Sequence, residues 1–280
     1  MLAPNAFTTA ASTDQINVPT RIGPLAVRRH DGQGPWLVLW HSLFLDGRSW
    51  DPVLPALTRV RSVLVVDGPC HGESPGPATR FSLDDCAEAA VAVLDHFGVD
   101  RADWIGNAWG GHVGVVVAAA HPRRIARLAA ISSPMQALRP FERLRLHLLA
   151  AIFRLTGWRD WLVGAVVDSL VLSSASAKVK AYVANAARAP GAAATQLAMR
   201  SVMFGRPSLV DRLPSIDAPT LFVTTRADAL WPPELARVQA GRLQRGRFEV
   251  VEGARHAPPL EVPDTMASLL VDWLATANVG

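Results

Sequence analysis

The sequence predicts an α/β fold: a mostly parallel central sheet flanked by helices, with an all-helical segment inserted before the last strands. Three observations carry that prediction. Short, continuously apolar runs, such as Trp36-Leu37-Val38-Leu39-Trp40 and 62–66, read as strands buried on both faces. Stretches of helical periodicity separate them, as the βαβ units of a parallel sheet require. From 134 to about 207 the alternation stops and only helical periodicity remains, over a length too great for a simple crossover. The 280 residues then divide into a first part of the core (1–133), a helical cap (134–207) and a second part of the core (208–280).

Taken in order, 17–22 and 24–29 are β-prone runs joined by a turn at Gly23, an initial antiparallel pair. After the strand at 36–40, residues 46–60 read as one helix with Trp50, Leu54 and Leu57 on a single side. The strand at 62–66 leads into a Gly- and Pro-rich loop. Ser82 is placed to cap a helix over 83–97, with Asp84 and Asp85 in its favourable first turn. A strand at 103–105, a helix at 109–120 and a strand at 125–131 follow. The cap carries helical patterns at 141–155, 158–172, 177–188 and 192–204. Strand and helix then resume at 220–224, 233–243, 247–251 and 263–274.

Composition excludes several function classes. The net charge is +4, but Lys178 and Lys180 are the only lysines, and the arginines are scattered, with no dense run beside interleaved aromatics. That pattern is a solvated arginine surface and not a nucleic-acid footprint. Cys70 and Cys86, the only cysteines, make neither a disulfide framework nor a zinc spacing, and no metal or other cofactor is expected. Residues 1–14 lack a basic start and an apolar core, so they read as a loose polar tail and not a secretory signal. The apolar stretch 144–172 is interrupted by Arg154, Arg159, Asp160 and Asp168, which argues against a membrane span. The expectation is a cytoplasmic protein without a membrane partner, in which an apolar outer face of the cap could serve a homodimer.

The chain is organised around Trp104-Ile105-Gly106-Asn107-Ala108-Trp109-Gly110-Gly111. A strand stops there, turns sharply and becomes a helix. Gly106 and Gly110 flank the centre at the spacing of a nucleophile elbow, G-x-S-x-G, where side chains at the flanking positions would collide with neighbouring backbone. The central residue is Ala108, whose methyl group cannot attack a substrate.

Four further stretches join the elbow. His41-Ser42-Leu43-Phe44 follows the strand at 36–40, Asp67-Gly68-Pro69-Cys70-His71-Gly72-Glu73-Ser74 follows that at 62–66, Thr225-Arg226-Ala227-Asp228 precedes Pro232, and Gly253-Ala254-Arg255-His256-Ala257-Pro258 precedes the last helix. Together these resemble the α/β-hydrolase superfamily from about residue 22 to 274, with Ser42 and Cys70 standing where the family usually has glycine. The resemblance implies a triad in the order nucleophile, acid, histidine: position 108, Asp228 and His256. His256 would take the proton of the nucleophile and later activate water, Asp228 would hold the imidazole tautomer, and the N–H groups of Leu43 and Trp109 would face the developing oxyanion.

Other readings of these residues are bland. Asp228 could cap the helix that begins near Pro232, since Asp is common in turns. Ser132 and Ser133 stand where some relatives carry the acid and cannot fill that role. His71 and Glu73 suit loop support, His112 and His121 suit structural roles, and Cys70 has no evident activating base.

Ala108 itself admits three readings. The position belongs to a serine, and the chain carries a serine-to-alanine change that leaves the pocket intact but inactive. The position belongs to an aspartate, as in epoxide hydrolases and haloalkane dehalogenases, whose elbow often continues with Trp; the single tyrosine, Tyr182, counts against the epoxide chemistry. Or alanine is natural and the protein binds a ligand without acyl-enzyme chemistry. The first is carried forward: a serine-type hydrolase of an apolar carboxylic ester or lactone, with amide and carbon–carbon bond hydrolysis, which use the same triad, left open. The run His41 to Pro52 is similar to that of enol-lactone hydrolases and related carboxylesterases, which supports that substrate class. The cap should line the pocket through Met135, Phe141, His147, Trp158, Trp161, Met199 and Phe204, facing Phe44, Trp109 and Trp231, an apolar surface with few fixed charges.

Overall fold

The computed structural model describes residues 14–276; the polar tail expected at 1–14 falls almost entirely outside them. Eight strands form one sheet in the order β1-β2-β4-β3-β5-β6-β7-β8. They are β1 (Asp14–Val18), β2 (Leu25–His30), β3 (Trp36–Trp40), β4 (Ser62–Val66), β5 (Ala102–Asn107), β6 (Ile125–Ile131), β7 (Thr220–Thr225) and β8 (Gly246–Val251). The first two pair antiparallel, β2 joins β4 antiparallel, and every pairing from β4 through β8 is parallel. The central strands are buried along their whole length, which is why they read as unbroken apolar runs.

Ten α-helices surround the sheet among the described residues: α1 (Leu54–Leu57), α2 (Leu83–His96), α3 (Trp109–Ala120), α4 (Pro140–Thr156), α5 (Asp160–Leu170), α6 (Ala177–Arg188), α7 (Gly191–Ala198), α8 (Pro233–Ala240), α9 (Pro258–Glu261) and α10 (Pro263–Ala275). Ser82 caps α2 in a reciprocal box: its hydroxyl accepts from the Asp85 N–H, and the Asp85 carboxylate accepts from the Ser82 N–H. One core cluster packs α2 and α3 on one face of the sheet around Trp40 and Trp104; a second packs Trp50, Leu57, Met266 and Trp273 on the other.

Two local expectations are corrected. Residues 46–60 do not form one helix: a 3-10 turn, Gly47–Trp50, is followed by the single turn α1. Pro52 and Pro55 lack the N–H groups that a continuous helix would need. The fourth cap helix is α7, which passes into a π-helical turn, Met199–Met203. Between β6 and β7 the chain is otherwise helical, from α4 to α7 and then a 3-10 turn, Val210–Ser215.

Candidate active site

The elbow forms where β5 ends. Ala108 takes φ 48°, ψ −104°, a left-handed conformation that is strained for any residue with a Cβ. The surroundings over-determine it. The Ala108 N–H donates to Ile131 O at 2.7 Å and the Gly110 N–H to His41 O at 3.1 Å. The Asn107 side-chain amide donates to both Ile131 O and His256 O, at 3.1 and 3.0 Å. Both glycines are sterically required. A Cβ on Gly106 would sit 2.1 Å from the carbonyl carbon of Gly110, and one on Gly110 would sit 2.0 Å from Trp40 O.

Asp228 and His256 meet behind the elbow. The His256 Nδ1–H donates to Asp228 Oδ2 at 2.9 Å, and both residues are buried. The other carboxylate oxygen accepts the N–H groups of Leu230 and Trp231, at 2.9 and 3.2 Å. The turn-capping role and the histidine contact therefore coexist, one on each oxygen. Burial alone would raise the Asp228 pKa; the neighbouring His256 imidazole, its hydrogen bond and the Leu230 N–H outweigh burial and hold the carboxyl below its ordinary range. The ring is thereby fixed in the tautomer that leaves Nε2 free to accept a proton.

Neither the Leu43 nor the Trp109 backbone N–H finds an acceptor among the described residues, and Trp109 opens α3, so the positive end of that helix lies at the elbow. The first loop is braced by two neutral histidines. His41 Nε2 accepts the Gly68 N–H at 2.8 Å, and its Nδ1 donates to Ser42 O. His71 Nε2 accepts the Phe44 N–H at 3.3 Å, and its Nδ1 donates to Pro69 O. Burial lowers both pKa values, that of His71 to about 3, so neither carries charge at neutral pH. His112 is likewise committed, bonded through Nε2 to Pro134 O. The Cys70 thiol is pushed up to about 11 by burial, which removes it as a nucleophile.

The cap closes over this site through several ties that sequence reasoning did not reach. Leu170 O, at the end of α5, accepts the N–H groups of both His256 and Ala257. Glu261 bridges the Leu172 and Arg255 N–H groups, at 2.6 and 2.8 Å. Tyr182 donates to Asp46 Oδ1 at 2.7 Å, so the one tyrosine in the chain is already committed to holding α6 on the first loop. Asn107 and Glu261 carried no signal beyond their positions, one inside the elbow and one just past the histidine loop.

The expected lining residues divide. Phe44 and Trp158 pack against both the central and the cap clusters, between sheet and cap. Met199 and Phe204 are buried at the cap's base, with the exposed His147 ring 4.8 Å from Phe204. Met135 and Trp231 are fully buried; the Trp231 indole bonds Gln239 and packs on Phe222, so it backs the acid loop. Trp161 and Phe141 are corrections: they are 54% and 74% exposed, because the faces of α5 and α4 that carry them point to solvent. The surroundings are also less free of charge than expected. Arg206 is nine-tenths buried near His112, its Nη2 donating to Gln136 O at 2.7 Å, with its pKa drawn down to about 10 by burial. A depression of about 650 Å³ lined by Asp100, Arg101, Pro122 and Asp217 lies before the starts of β5, β6 and β7, the opposite end of the strands from the elbow.

Residues 35–263 match the family model described as alpha/beta hydrolase fold. The chain is 39% identical over 100 residues to the dihydrolipoyllysine-residue acetyltransferase component of an acetoin cleaving system from Pseudomonas putida, covering 36% of this chain and 27% of that protein. It thus spans only about a quarter of that relative. It is 28% identical over 257 residues to a pimeloyl-[acyl-carrier protein] methyl ester esterase from Photobacterium profundum, covering 87% and 96% of the two chains. Among solved structures it resembles the enol-lactonase from Burkholderia xenovorans in fold, with a TM-score of 0.82, 24% identity and coverage of 90% and 97%.

Proposed function

The chain belongs to the alpha/beta hydrolase family, and on that premise we propose that its site is built for serine-type hydrolysis of a carboxylic ester or lactone, with the nucleophilic hydroxyl missing at Ala108. The observation that carries this reading is the His256–Asp228 hydrogen bond of 2.9 Å, tied through Asn107 to an elbow held at φ 48°. Relatives named as an ester esterase and an enol-lactonase support the substrate class. The helical segment 134–207 acts as the lid of the pocket.

With a hydroxyl at position 108, His256 Nε2 takes its proton as the oxygen attacks the ester carbonyl. Leu43 and Trp109 N–H groups stabilise the resulting oxyanion, each worth roughly 3–4 kcal/mol. Collapse expels the alcohol, which takes the proton back from His256. Water then enters by the same base catalysis and releases the acid. Asp228 holds the ring and stabilises the imidazolium without being protonated. With the methyl group of Ala108 none of these steps begins, so the chain as it stands binds ester and does not acylate.

The epoxide-hydrolase form of the aspartate-nucleophile reading loses support. Epoxide opening needs a tyrosine acid, and Tyr182 is occupied by Asp46. The test compares the chain, Ala108→Ser, and Ala108→Ser with His256→Ala on aryl esters, aliphatic esters and lactones. Turnover restored by serine and removed by the histidine change is expected; no turnover from Ala108→Ser across the panel would overturn the proposal.

A further inference from the structure

Helix α4 carries an apolar face that is largely open to solvent. Phe141, Leu144, Leu148, Ile152 and Leu155 are between 41% and 84% exposed. Their spacing of three and four residues puts them on one stripe, an arc of roughly 80° at about 100° per residue. Phe153, Leu146 and Ala150, on the other side, pack into the core cluster. The stripe is therefore a second apolar face on a helix that already buries its first.

Arginines lie around the stripe. Arg145 lies along one edge; Arg143 and Arg154 lie further round from the other edge, beyond His147 and Ala151, while Arg139 and Arg159 flank the two ends of the helix. None of the five forms an ion pair among the described residues. The nearby carboxylates are engaged elsewhere: Glu142 accepts the Arg139 N–H, and Asp160 pairs with Arg188. On the Arg143 and Arg154 side opens a cavity of about 310 Å³, to which Arg80, Arg200 and Phe204 also contribute. Four arginines line it and no carboxylate does. Arg200 reaches it from the π-helical turn after α7, and Arg80 from the loop whose Phe81 N–H donates to Ser201 Oγ.

We propose that the cap docks on an anionic phospholipid surface, with the α4 stripe in the acyl boundary and the arginines at the headgroup phosphates. An apolar stripe on a helix whose remaining flanks carry long cationic side chains and few acidic ones is what such an interface selects, because the stems cover apolar surface while the guanidinium groups reach the phosphates. The alternative occupant is a second copy of the chain. A two-fold contact through α4 would bring the arginines of one copy close to those of the other, with Glu142 the one carboxylate on the helix to offset them, so the charge balance opposes it. The expectation of no membrane partner rested on the lack of a spanning segment. No helix among the described residues is long and apolar enough to cross a membrane, and surface docking needs none.

The proposal is independent of catalysis and is tested by binding alone. The full chain is sedimented with vesicles of phosphatidylcholine and with vesicles that also contain phosphatidylglycerol, at low and high salt. Capture by the anionic vesicles, weakened by salt, is expected. Arg143→Glu and Arg154→Glu should each weaken it by fivefold or more, since each contact to the anionic surface contributes about a factor of five, and Leu144→Asp with Leu148→Asp should abolish it. All four side chains are exposed, so unchanged circular dichroism and thermal midpoints will verify that the variants fold. Equal capture by neutral and anionic vesicles overturns the proposal, as does no capture. A dimer by light scattering that Leu148→Asp dissociates, without vesicle capture, overturns it in favour of the second copy. Saturable binding of inorganic phosphate without vesicle capture overturns it in favour of a small-anion site.

Discussion

The elbow and the outer face of α4 are built on opposite terms. At the elbow, a residue in a costly backbone conformation is held from three directions: by Ile131 O, by His41 O through Gly110, and by the Asn107 amide reaching to the histidine loop. On α4, five large apolar side chains are between 41% and 84% exposed, and the helix's three arginines form no ion pair among the described residues. Strain persists only where many contacts agree on it. The difference teaches that the elbow's geometry is fixed by contacts within the fold and does not need a hydroxyl at position 108, whereas the outer face of α4 is left to solvent.

The largest expected effect sharpens the first half of that contrast. If the elbow is preorganised, Ala108→Ser alone should raise ester or lactone turnover by roughly 10³-fold or more over the chain as it stands, because the histidine, the acid and the oxyanion donors wait in position. Steady-state kinetics with an active-site titration will measure this. In that background Asp228→Asn should return most of the gain, since the imidazole loses the acceptor that fixes its tautomer; kcat should fall with little change in KM.

Breaking the elbow physically comes next. Gly110→Ala drives a Cβ to within 2.0 Å of Trp40 O, a backbone atom that cannot swing aside. It should cost about 3 kcal/mol or more in urea unfolding, or prevent folding. The matching change on α4, Leu148→Ala at a side chain 59% exposed, should stay within roughly 0.5 kcal/mol. Comparable losses at the two sites would erase the contrast.

A smaller effect follows from the braced loop. His71 is neutral when folded, with a pKa near 3 against 6.5 for an unperturbed histidine, and His41 is shifted the same way. Between those values the unfolded chain binds protons that the folded chain refuses, so stability is full above about pH 6.5 and declines as pH falls toward 3. His71 contributes a slope on the order of 1 kcal/mol per pH unit in that window. Thermal midpoints measured from pH 7.5 to 4.5 should fall steadily, and less steeply for His71→Gln, whose side chain does not titrate there.

Much was legible in the chain itself, because the signals are local. Buried parallel strands must be apolar throughout, a sharp strand-to-helix turn must have small neighbours, and α2 had to begin after Ser82. Position 108, Asp228 and His256 were picked out through the resemblance of the loops that carry them to those of the α/β-hydrolase superfamily, and the structure brings Asp228 and His256 into hydrogen-bond contact. Some sequence signals misled: 46–60 has helical spacing, but two prolines deny it the N–H groups of a continuous helix. Trp161 and Phe141 show a subtler limit. Periodicity places a residue on a face of its helix, but not which face meets the sheet.

The sequence by itself determined the order of elements, the glycines of the elbow and the absence of a hydroxyl at its centre, since these depend on backbone sterics and on which atoms a side chain carries. Only the tertiary structure decided that one Asp228 oxygen serves the turn and the other serves His256, and that Asn107 and Glu261 bind the site together. It alone decided that α4 turns its stripe outward. Those facts depend on groups brought together from separate loops, Asn107 and His256 across 149 residues of chain, and on an orientation set by the sum of packing, which no local pattern encodes.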